Sequence, residues 1–542
     1  MIRWFIVLLG AAALSATALR AQTPDISGDR IRAHVKFLSS DLLEGRGPGA
    51  RGGDLAAEYI ATQFALFGLQ PAGDKGTYFQ HVPLIGATTD ADSSITADRG
   101  GREIKLNWLD DFVGVTNAQQ PDVPIDGDAI FVGHGIVAPE FQWDDFKGVD
   151  VRGKILILFT NQPPSDDPRF FGGKALTYYG RWTYKYEEAT RRGAQAVFII
   201  HTTPTAGYGY DVVRSSWGRE DGQVKLEPGE PALSFAGWLS KEAGDKLLAL
   251  SGHTVDELLK LAESRDFHPI PLGVHIFSSL QTKLRQIDSS NVVGMVEGSD
   301  PVLKNQAVVF TAHWDHLGIG TPVNGDAIYN GAVDNGTGCG IILEMARAWA
   351  SLPHKPRRSA IFLAVTGEEE GLRGSAYYAA HPFIPVARTA LDLNFDALFP
   401  AGLTRDVSAA GGERTTVWPL VQEVARRMNL TIKPDAHPEQ GSYYRSDHFS
   451  FAQAGVPAFS IDEGTDFVGK PVDFGEKLFD DYNDHHYHQP SDEFHEDWDF
   501  SGLAQVTRFG MDIGMAVADE SALPTWRAGD EFLPARQKSG VK

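Results

Sequence analysis

The chain has 542 residues, 42% of them hydrophobic, which is ample for a full core and for more than one domain. Its 49 lysines and arginines against 71 aspartates and glutamates give a formal charge of −22, which argues against nucleic acid and anionic membrane surfaces as partners. A single cysteine, Cys339, excludes any intrachain disulfide.

Residues 1–21 have the pattern of a secretory signal peptide. Arg3 gives the positive start, residues 5–14 form the apolar core, and small residues within 16–21 offer a cleavage site. The apolar run is short for a membrane span, and an uncleaved anchor is the alternative. We therefore expect the mature chain to be exported, periplasmic or extracellular, and to keep no stable membrane span.

A main domain is predicted to start over residues 22–124. Residues 31–42 and 53–67 have helical spacing, and residues 77–125 have the pattern of mixed strands and loops. The loop GRGPGARGG between the two helices is rich in glycine. It lacks the Gly-Lys-Ser/Thr ending of a phosphate-binding loop, and no strong strand precedes it. We interpret this loop as structural.

A second unit is predicted over residues 125–272, inserted into the main domain. Its predicted strands and its helix lie at residues 129–132, 154–159, 196–200 and 183–192. His134, His201 and His268 lie in this unit without paired His/acid spacing, so we assign no metal site there. The unit could be a lid or wall over a substrate site, or a passive packing domain.

The main domain is predicted to resume over residues 273–520, and residues 521–542 are expected to form a loose tail. Its predicted strands lie at residues 291–296, 307–311, 359–365, 391–395 and 458–461, and its helices at residues 336–349 and 415–428. Three strands are followed by imidazole or carboxylate groups: His313 and Asp315, then Glu368, Glu369 and Glu370, then Asp396. Ligand groups gather at the carboxyl ends of strands in open α/β sheets. Imidazole with carboxylate is the ligand mix for a zinc-like cation.

The motifs of this part of the chain resemble those of the M28-type zinc aminopeptidases, the family that also contains glutamate carboxypeptidase and glutaminyl cyclase. Within residues 290–500, in the family's order, stand HWDHLG, AVDNGTG, TGEEEGLRGS, LNFDAL, YYRSDHFSF with AGVPA, and YHQPSDE. The resemblance implies an α/β fold of the zinc-dependent exopeptidase type, a mixed central sheet with flanking helices. The segments GHGIVAPEF, DVRGKILIL and GAQAVFII of the second unit resemble a β-rich protease-associated domain.

This resemblance implies two Zn²⁺ ions per chain, held by His313, Asp334, Glu369, Asp396 and His488. His313 and Asp396 would complete the first site, Glu369 and His488 would hold the second, and Asp334 would bridge the two ions. A shared carboxylate reduces the repulsion between two divalent ions about 3.5–4 Å apart. Gly331 and Gly336 free the backbone around Asp334 to present it.

The resemblance also implies three catalytic side chains. Glu368 would be the general base that takes a proton from a metal-bridging water and passes it to the leaving amine. Asp315 would fix the ring tautomer of His313, and Tyr487 would help to hold the transition-state oxygen. The alternative for residues 368–370 is a solvated helix start, since acidic side chains favour that end of a helix.

Several nearby polar residues keep a second interpretation. The segment YYRSDHFSF is expected beside the substrate pocket, or else as a polar loop with a helix cap at Ser446 or Asp447. Arg445 could bind a substrate carboxylate, which would favour a carboxypeptidase, or could pair with local acids.

Two further histidine assignments depend on context. His485 and His486 are rivals of His488, which we prefer because its YHQPSD surroundings match the family pattern. His316 is interpreted as structural.

We therefore expect an exported di-zinc aminopeptidase that removes N-terminal residues from peptide substrates, since a free amine suits a site rich in carboxylates. A glutamate-type carboxypeptidase with a basic pocket is the alternative within the family. Glutaminyl cyclase is less favoured because that branch uses one zinc. A binding protein on a peptidase scaffold, as in the transferrin receptor, is the alternative from another class, although no ligand is missing here. The sequence leaves the oligomeric state open.

Overall fold

The computed structural model describes residues 25–435 and 437–541 of the chain. The predicted signal peptide, residues 1–21, lies outside the described residues. Within them, no helix has both the length and the apolar character needed to cross a membrane.

The α-helices of the described residues are α1 (Gly28–Leu38), α2 (Arg51–Leu66), α3 (Trp182–Arg191), α4 (Thr203–Ala206), α5 (Tyr210–Trp217), α6 (Lys241–Ser251), α7 (Val255–Ala262), α8 (Gly338–Ala350), α9 (Arg373–Ala380), α10 (Trp418–Arg427), α11 (His448–Gln453), α12 (Phe474–His485), α13 (Ser501–Asp519) and α14 (Leu533–Lys538).

The strands of the described residues are β1 (Gln70–Pro71), β2 (Phe79–Thr89), β3 (Ser94–Arg99), β4 (Arg102–Asn107), β5 (Phe112–Val115), β6 (Asp122–Phe131), β7 (Val137–Ala138), β8 (Trp143–Asp144), β9 (Ile155–Phe159), β10 (Ala196–Ile200), β11 (Asp221–Val224), β12 (Phe235–Leu239), β13 (Ile270–Val296), β14 (Ala307–His313), β15 (Gly318–Val323), β16 (Asp326–Tyr329), β17 (Ser359–Val365), β18 (Thr389–Asn394), β19 (Asp406–Ser408), β20 (Thr431–Lys433), β21 (Ala458–Ser460) and β22 (Asp462–Glu463).

A mixed sheet runs through the molecule in the order β21-β18-β14-β17-β13-β6-β9-β10-β12-β5. Strands β21, β18, β14 and β17 are parallel to their neighbours within this group. Strand β13 is antiparallel to β17 through residues 292–296 and antiparallel to β6 through residues in its first half. One long strand therefore joins the two halves of the sheet, with β6, β9, β10 and β12 parallel on the far side.

The main core lies on both faces of the parallel strands. Val308 and Phe310 of β14 pack with helix residues such as Trp349 of α8, whereas Val309 between them packs with Tyr378 of α9 on the other face. Every residue of β14 is buried. Strands covered on both faces have near-continuous apolar sequences, which is why this run could be predicted as a strand.

The predicted loose tail, residues 521–542, is ordered instead where it is described, over residues 521–541. The stretch after residue 520 was expected to be a loose tail, but Trp526 is 1% exposed and its indole N–H donates to the Gly455 carbonyl at 3.0 Å. Arg536 of α14 is also buried, and donates to the carbonyl of Pro524 at 2.9 Å. The acidic, aromatic stretch of residues 464–484 contains helix α12, which buries Tyr482. Trp526 and Phe532 pack in a hydrophobic cluster with Tyr443 and Phe449, and such contacts between distant parts of the chain leave no local pattern in the sequence.

Candidate metal centre

Four parallel strands deliver polar side chains to one edge of the sheet. His313 is the last residue of β14, and Glu368, Asp396 and Asp462 follow β17, β18 and β21 within three residues. Because these strands run in the same direction, their carboxyl ends lie together. The predicted convergence of strand-end ligands is thus present in the backbone.

His313 is the centre of the first group of ligands. Its ring is buried, and Nε2 lies 3.2 Å from Oδ1 of Asp334 and 3.0 Å from Oδ1 of Asp396. Its Nδ1 lies 3.1 Å from the backbone carbonyl of Asp315 but 3.9 Å from the nearer carboxylate oxygen of that residue. The backbone oxygen of Asp315 is therefore the group placed to fix the ring, with Nε2 directed at the two acids.

Asp334 is presented by an irregular turn, residues 332–337, just before α8. Gly331 begins this turn at φ 58°, and a Cβ there would lie 2.1 Å from the Asp334 carbonyl oxygen, so glycine is required. The Asp334–Asn335 peptide bond is cis. The carboxylate of Asp492 accepts from the backbone N–H of Val333 at 2.9 Å and of Asp334 at 3.1 Å.

Glu369 and His488 form the second group. Nε2 of His488 lies 3.0 Å from Oε2 of Glu369 and 3.4 Å from Oδ2 of Asp334. His488 has φ 58°, a backbone conformation that is uncommon for a residue with a side chain. The other Glu369 oxygen lies 2.6 Å from Nδ1 of His316. His316 thus orients a candidate ligand, which the structural interpretation of that residue did not specify.

The two groups meet at Asp334. Its Oδ1 faces His313 and its Oδ2 faces His488. Ligand atoms of His313, Asp334 and Glu369 all lie within 4.8 Å of one another, an arrangement that could hold a metal ion. The structure therefore brings the five predicted metal ligands together, with Asp334 in contact with both histidines.

Opposing effects set the charges of the ligands. Burial would lower the pKa of His313, but Asp396 and Glu368 raise it well above its usual value. Burial would also lower the pKa of His488, but Glu369 raises that pKa to about 10. Burial would raise the pKa of Asp334, but the two histidines outweigh it and hold the pKa below its usual range. Negative charge is in excess here, which favours cations.

Glu368 lies next to the ligands. Burial raises its pKa well above the usual value, against the opposing effect of His313. Its backbone N–H donates to Oδ1 of Asp315 at 3.3 Å, while Oδ2 of Asp315 has no hydrogen-bond partner among the described residues. The Asp315 side chain therefore contacts the loop that carries Glu368, whereas its backbone carbonyl is the group that contacts His313.

Asp396 has a hydrogen-bond partner in Ser446, for which a helix cap was the alternative interpretation. The Ser446 hydroxyl donates to Oδ2 of Asp396 at 2.5 Å, and Nδ2 of Asn394 donates to the Ser446 oxygen at 2.7 Å. Ser446 stands in the SDH part of YYRSDHFSF, and its neighbour Asp447 is fully buried. This segment supports the ligand from behind.

A cavity of about 240 Å³ opens over the ligands. Its lining includes Glu368, Arg445, Asp462 and Tyr487. The ring of Tyr487 stacks on that of His488 with 3.8 Å between centroids. A second cavity of about 1080 Å³ adjoins it, because Ala410 and Tyr443 line both. The predicted catalytic tyrosine and the arginine of YYRSDHFSF thus both face the site.

Arg46, in the glycine-rich loop, supports the centre from below. It is 1% exposed, and its guanidinium donates to the carbonyls of Leu38, Trp314, Asn330 and Gly331 at 2.6–2.9 Å. One side chain therefore ties the His313 loop to the Asp334 turn. The only sequence signal for it was an arginine between glycines.

The comparison with protein families decides the identity of this region. The profile described as peptidase family M28 matches residues 291–508, which contain all five candidate ligands. This stretch belongs to peptidase family M28.

Curated relatives match parts of the chain. A probable zinc metalloprotease of Pyrenophora teres f. teres is 40% identical over 91 residues, which are 17% of this chain and 18% of the relative. A probable leucine aminopeptidase 2 of Aspergillus oryzae is 30% identical over 173 residues, 31% of each chain. The chain thus spans less than a third of the length of these relatives.

A solved structure resembles most of this chain in fold. The aminopeptidase from Aneurinibacillus sp. strain AM-1 superposes with a TM-score of 0.50 at 19% identity, over 90% of this chain and 93% of that one. Together with the strand order above, this likeness confirms the predicted α/β fold, a central mixed sheet flanked by helices. The protease-associated character of residues 125–272 remains a prediction.

Proposed function

We propose that the chain is a di-zinc aminopeptidase that removes N-terminal residues from peptides. The observation that carries the proposal is the position of Asp334, whose two carboxylate oxygens face His313 on one side and His488 on the other. Two adjacent divalent ions require a carboxylate that both of them can share. Asp334 lies between two groups of nitrogen and oxygen ligands.

The donor set fits zinc. His313, Asp334 and Asp396 would hold one ion, and Asp334, Glu369 and His488 the other. Two imidazoles with three carboxylates match the nitrogen and oxygen ligands that zinc accepts. Nε2 of His488 makes no hydrogen bond among the described residues although two carboxylates flank it, which suits a nitrogen reserved for a metal. Bound zinc would supply a Lewis acid that lowers the pKa of a water molecule.

Glu368 is the proposed general base. Its side chain lines the cavity beside Asp334 and Asp396 without an ion-pair partner among the described residues. Its position suits transfer of a proton from water to the leaving amine. Asp315, whose carboxylate accepts from the Glu368 backbone N–H, would hold this base in place.

Tyr487 is proposed to stabilise the oxygen on which charge develops. Its phenol lines the same cavity, and burial raises the pKa above its usual value, so it would remain a hydrogen-bond donor at neutral pH. A donor directed at such an oxygen contributes through preorganised electrostatics. The free amine of the substrate would be attracted by the surrounding carboxylates.

A second candidate function has a specific observation in its favour. Arg445 lines the cavity, and a basic side chain there is what a glutamate-type carboxypeptidase would need. A non-catalytic binding protein is the alternative from a different class. Export, through cleavage of residues 1–21, is part of the proposal and would be seen by sequencing the mature N-terminus.

The test combines metal content with turnover on one purified sample. We expect about two zinc ions per chain and release of N-terminal residues by the wild type. Glu368→Gln should keep the metal and lose activity by at least about 100-fold. Glu476→Gln, an exposed glutamate of α12, is the matched control and should change neither.

Other outcomes select between the alternatives. A wild type with no bound metal and no turnover would refute the peptidase proposal and favour the binding protein. Release of C-terminal acidic residues alone would favour the carboxypeptidase. A Glu368→Gln chain with full activity would refute the assignment of the general base.

A further inference from the structure

The proposed catalytic cavity has an acidic end that the proposed mechanism does not use. Ser460 is the last residue of β21, and Ser460 and Asp462 both line the cavity beside Asp396. The next residue, Glu463, is not among the lining residues, and its Oε1 accepts the Phe399 N–H at 2.8 Å. Asp462 is therefore the carboxylate that this stretch of the chain presents to a ligand in the cavity.

Among the described residues, no cation pairs with Asp462. The one hydrogen bond to its carboxylate comes from the Ser460 hydroxyl, at 3.5 Å. Burial raises its pKa to about 7, and the other acids Asp396 and Asp435 act in the same direction. A carboxylate in such surroundings has an energetic cost until a cation pairs with it.

Aromatic rings line the same cavity. Phe399 and Phe479 both face it and meet edge to face, with 6.5 Å between their centroids. Phe479 is 41% exposed although it is apolar. Aromatic rings attract cations, and the side chains of lysine and arginine cover apolar surface with their hydrocarbon stems. The rings and the carboxylate thus match the two parts of a basic side chain, its apolar stem and its charged head.

A buried histidine adds a neutral hydrogen-bond acceptor. His448 is 1% exposed and lines the cavity. Neither of its ring nitrogens makes a well-formed hydrogen bond among the described residues, and the Tyr443 carbonyl lies near one of them. Burial lowers the pKa of His448 to about 3, so the ring is neutral. A neutral imidazole has one acceptor nitrogen, which suits the N–H group of a bound cation.

The basic residue of the cavity acts at a different place. The groups with the largest effects on the pKa of Arg445 include Tyr487, Tyr208 and Glu368, whereas acids surround Asp462. In the strand order β21-β18-β14-β17, Asp462 follows the first strand and Glu368 follows the last. Because the proposed base Glu368 serves the leaving amine, the side chain of the N-terminal residue would lie on the side of Asp462.

We propose that this acidic pocket binds the side chain of the N-terminal residue and selects substrates that begin with arginine or lysine, through an ion pair with Asp462. The inference rests on the proposed aminopeptidase function. It adds a substrate class to that function, since the carboxylates of the metal centre attract any free α-amine and do not distinguish between side chains. The formal charge of −22 would also attract cationic peptides to the chain.

Turnover of matched reporter substrates tests the proposal. Arginine would be compared with citrulline, and lysine with norleucine, as aminoacyl p-nitroanilides on the zinc-loaded full chain. The wild type should have a kcat/KM about 10- to 100-fold higher for the cationic member of each pair, the effect of a hydrogen bond between charged groups. Asp462→Asn should remove most of both differences. Asp466→Asn, at an acid that pairs with Arg405 near the surface, is the control and should leave both ratios unchanged.

A charge reversal gives an independent result. Asp462→Lys should reverse the preference, so that kcat/KM becomes higher for a glutamate reporter than for a glutamine reporter. Equal kcat/KM values within both cationic pairs of the wild type would overturn the pocket. A preference for arginine and lysine that survives in both Asp462 variants would overturn it as well. Thermal melting and zinc content verify that each variant is folded and loaded with metal.

Calorimetry separates this inference from the proposed function. Arginine amide and citrulline amide would be titrated into the Glu368→Gln chain, where binding is read without turnover. Tighter binding of arginine amide that is lost when Asp462→Asn is added supports the pocket even if the wild type hydrolyses nothing. Equal binding of the two amides overturns the pocket and leaves the peptidase proposal intact.

Discussion

The carboxylate of Asp492 binds the backbone of Asp334, accepting its N–H at 3.1 Å and that of Val333 at 2.9 Å. Both oxygens of Asp492 are committed, since Oδ2 also accepts from the Tyr482 hydroxyl at 3.0 Å. Asp492 therefore fixes the turn that presents the proposed bridging ligand, without facing the metal site itself.

We expect Asp492→Asn to weaken zinc binding. The amide can accept only through one atom, so its NH₂ group would oppose a backbone N–H and disturb the turn at Asp334. Loss of such a supporting contact typically lowers metal affinity by about 10- to 100-fold. Competition with a chromophoric chelator measures this affinity. Tyr482→Phe removes one donor to Asp492 and should have a smaller effect, and an unchanged affinity in Asp492→Asn would contradict the assignment.

Arg46→Met should destabilise the fold by about 2–4 kcal/mol, because buried carbonyls would lose charged donors. The side chain of methionine can fill much of the space, so the loss would come mainly from the contacts to Trp314, Asn330 and Gly331. Urea unfolding measures the difference in the free energy of unfolding. Arg51→Met, at a side chain that is 72% exposed, is the control. A change below about 0.5 kcal/mol in the free energy of unfolding of Arg46→Met would contradict this role of Arg46, since surface substitutions have effects of that size.

Glu344 should make stability depend on pH. Burial would raise its pKa, but hydrogen bonds from Arg347, Arg30 and the Ser27 backbone outweigh burial and lower it. A lowered pKa in the folded chain means that the contribution is complete above the unfolded value of about 4.3 and is lost as the pH falls through the folded value. Glu344→Gln should therefore cost about 1–3 kcal/mol at pH 7 and progressively less below pH 4.

The comparison for this prediction is Glu496→Gln. Glu496 pairs with Arg32 at the surface, and its side chain is 69% exposed. An exposed pair contributes at most about 1 kcal/mol. Unfolding curves recorded from pH 7 to pH 3 would show the difference between the two variants, and a cost at Glu344 that does not change with pH would refute the argument.

Removal of zinc should lower the melting temperature. Without cations, the carboxylates of Asp334, Glu369 and Asp396 repel one another in a buried site. A ligand present at 100 times its Kd stabilises the folded chain by about 2.7 kcal/mol. Calorimetric scans before chelation, after chelation and after zinc is restored measure the effect. His488→Ala should show a smaller response, and a melting temperature that does not respond to chelation would argue against a metal centre.

Local sequence patterns predicted the strands that carry the ligands. The apolar runs of β14 and β17 are uninterrupted and end at polar or glycine residues, so their bounds were predicted within two residues. Strand β13 was predicted only over residues 291–296, because its first half contains many polar residues and is stabilised by pairing with β2, β3 and β6. The predicted helix over residues 31–42 ends at Leu38, where Ser40 begins a tighter turn by capping the Leu42 N–H.

The supporting residues of the site were beyond local patterns. Arg46 and Asp492 act on backbone atoms that are about 160–290 residues away in the chain, and backbone atoms leave no mark in the sequence. His316 contacts Glu369 and Ser446 contacts Asp396, and only the fold brings these residues together. Residue type and motif order predicted the ligands, whereas the residues that hold the ligands required the structure.

Strand β13 also determines whether the second unit, residues 125–272, can be exchanged between proteins as one piece. The two sequence boundaries of that unit, 124/125 and 272/273, fall inside β6 and β13, which pair with each other. Excision at these points would leave two cut strands with free backbone N–H and C=O groups along the sheet, and such open edges promote pairing between molecules. Recombination of this unit between relatives would therefore have to exchange whole strands, so exposed loops outside the shared strand offer the safer junctions.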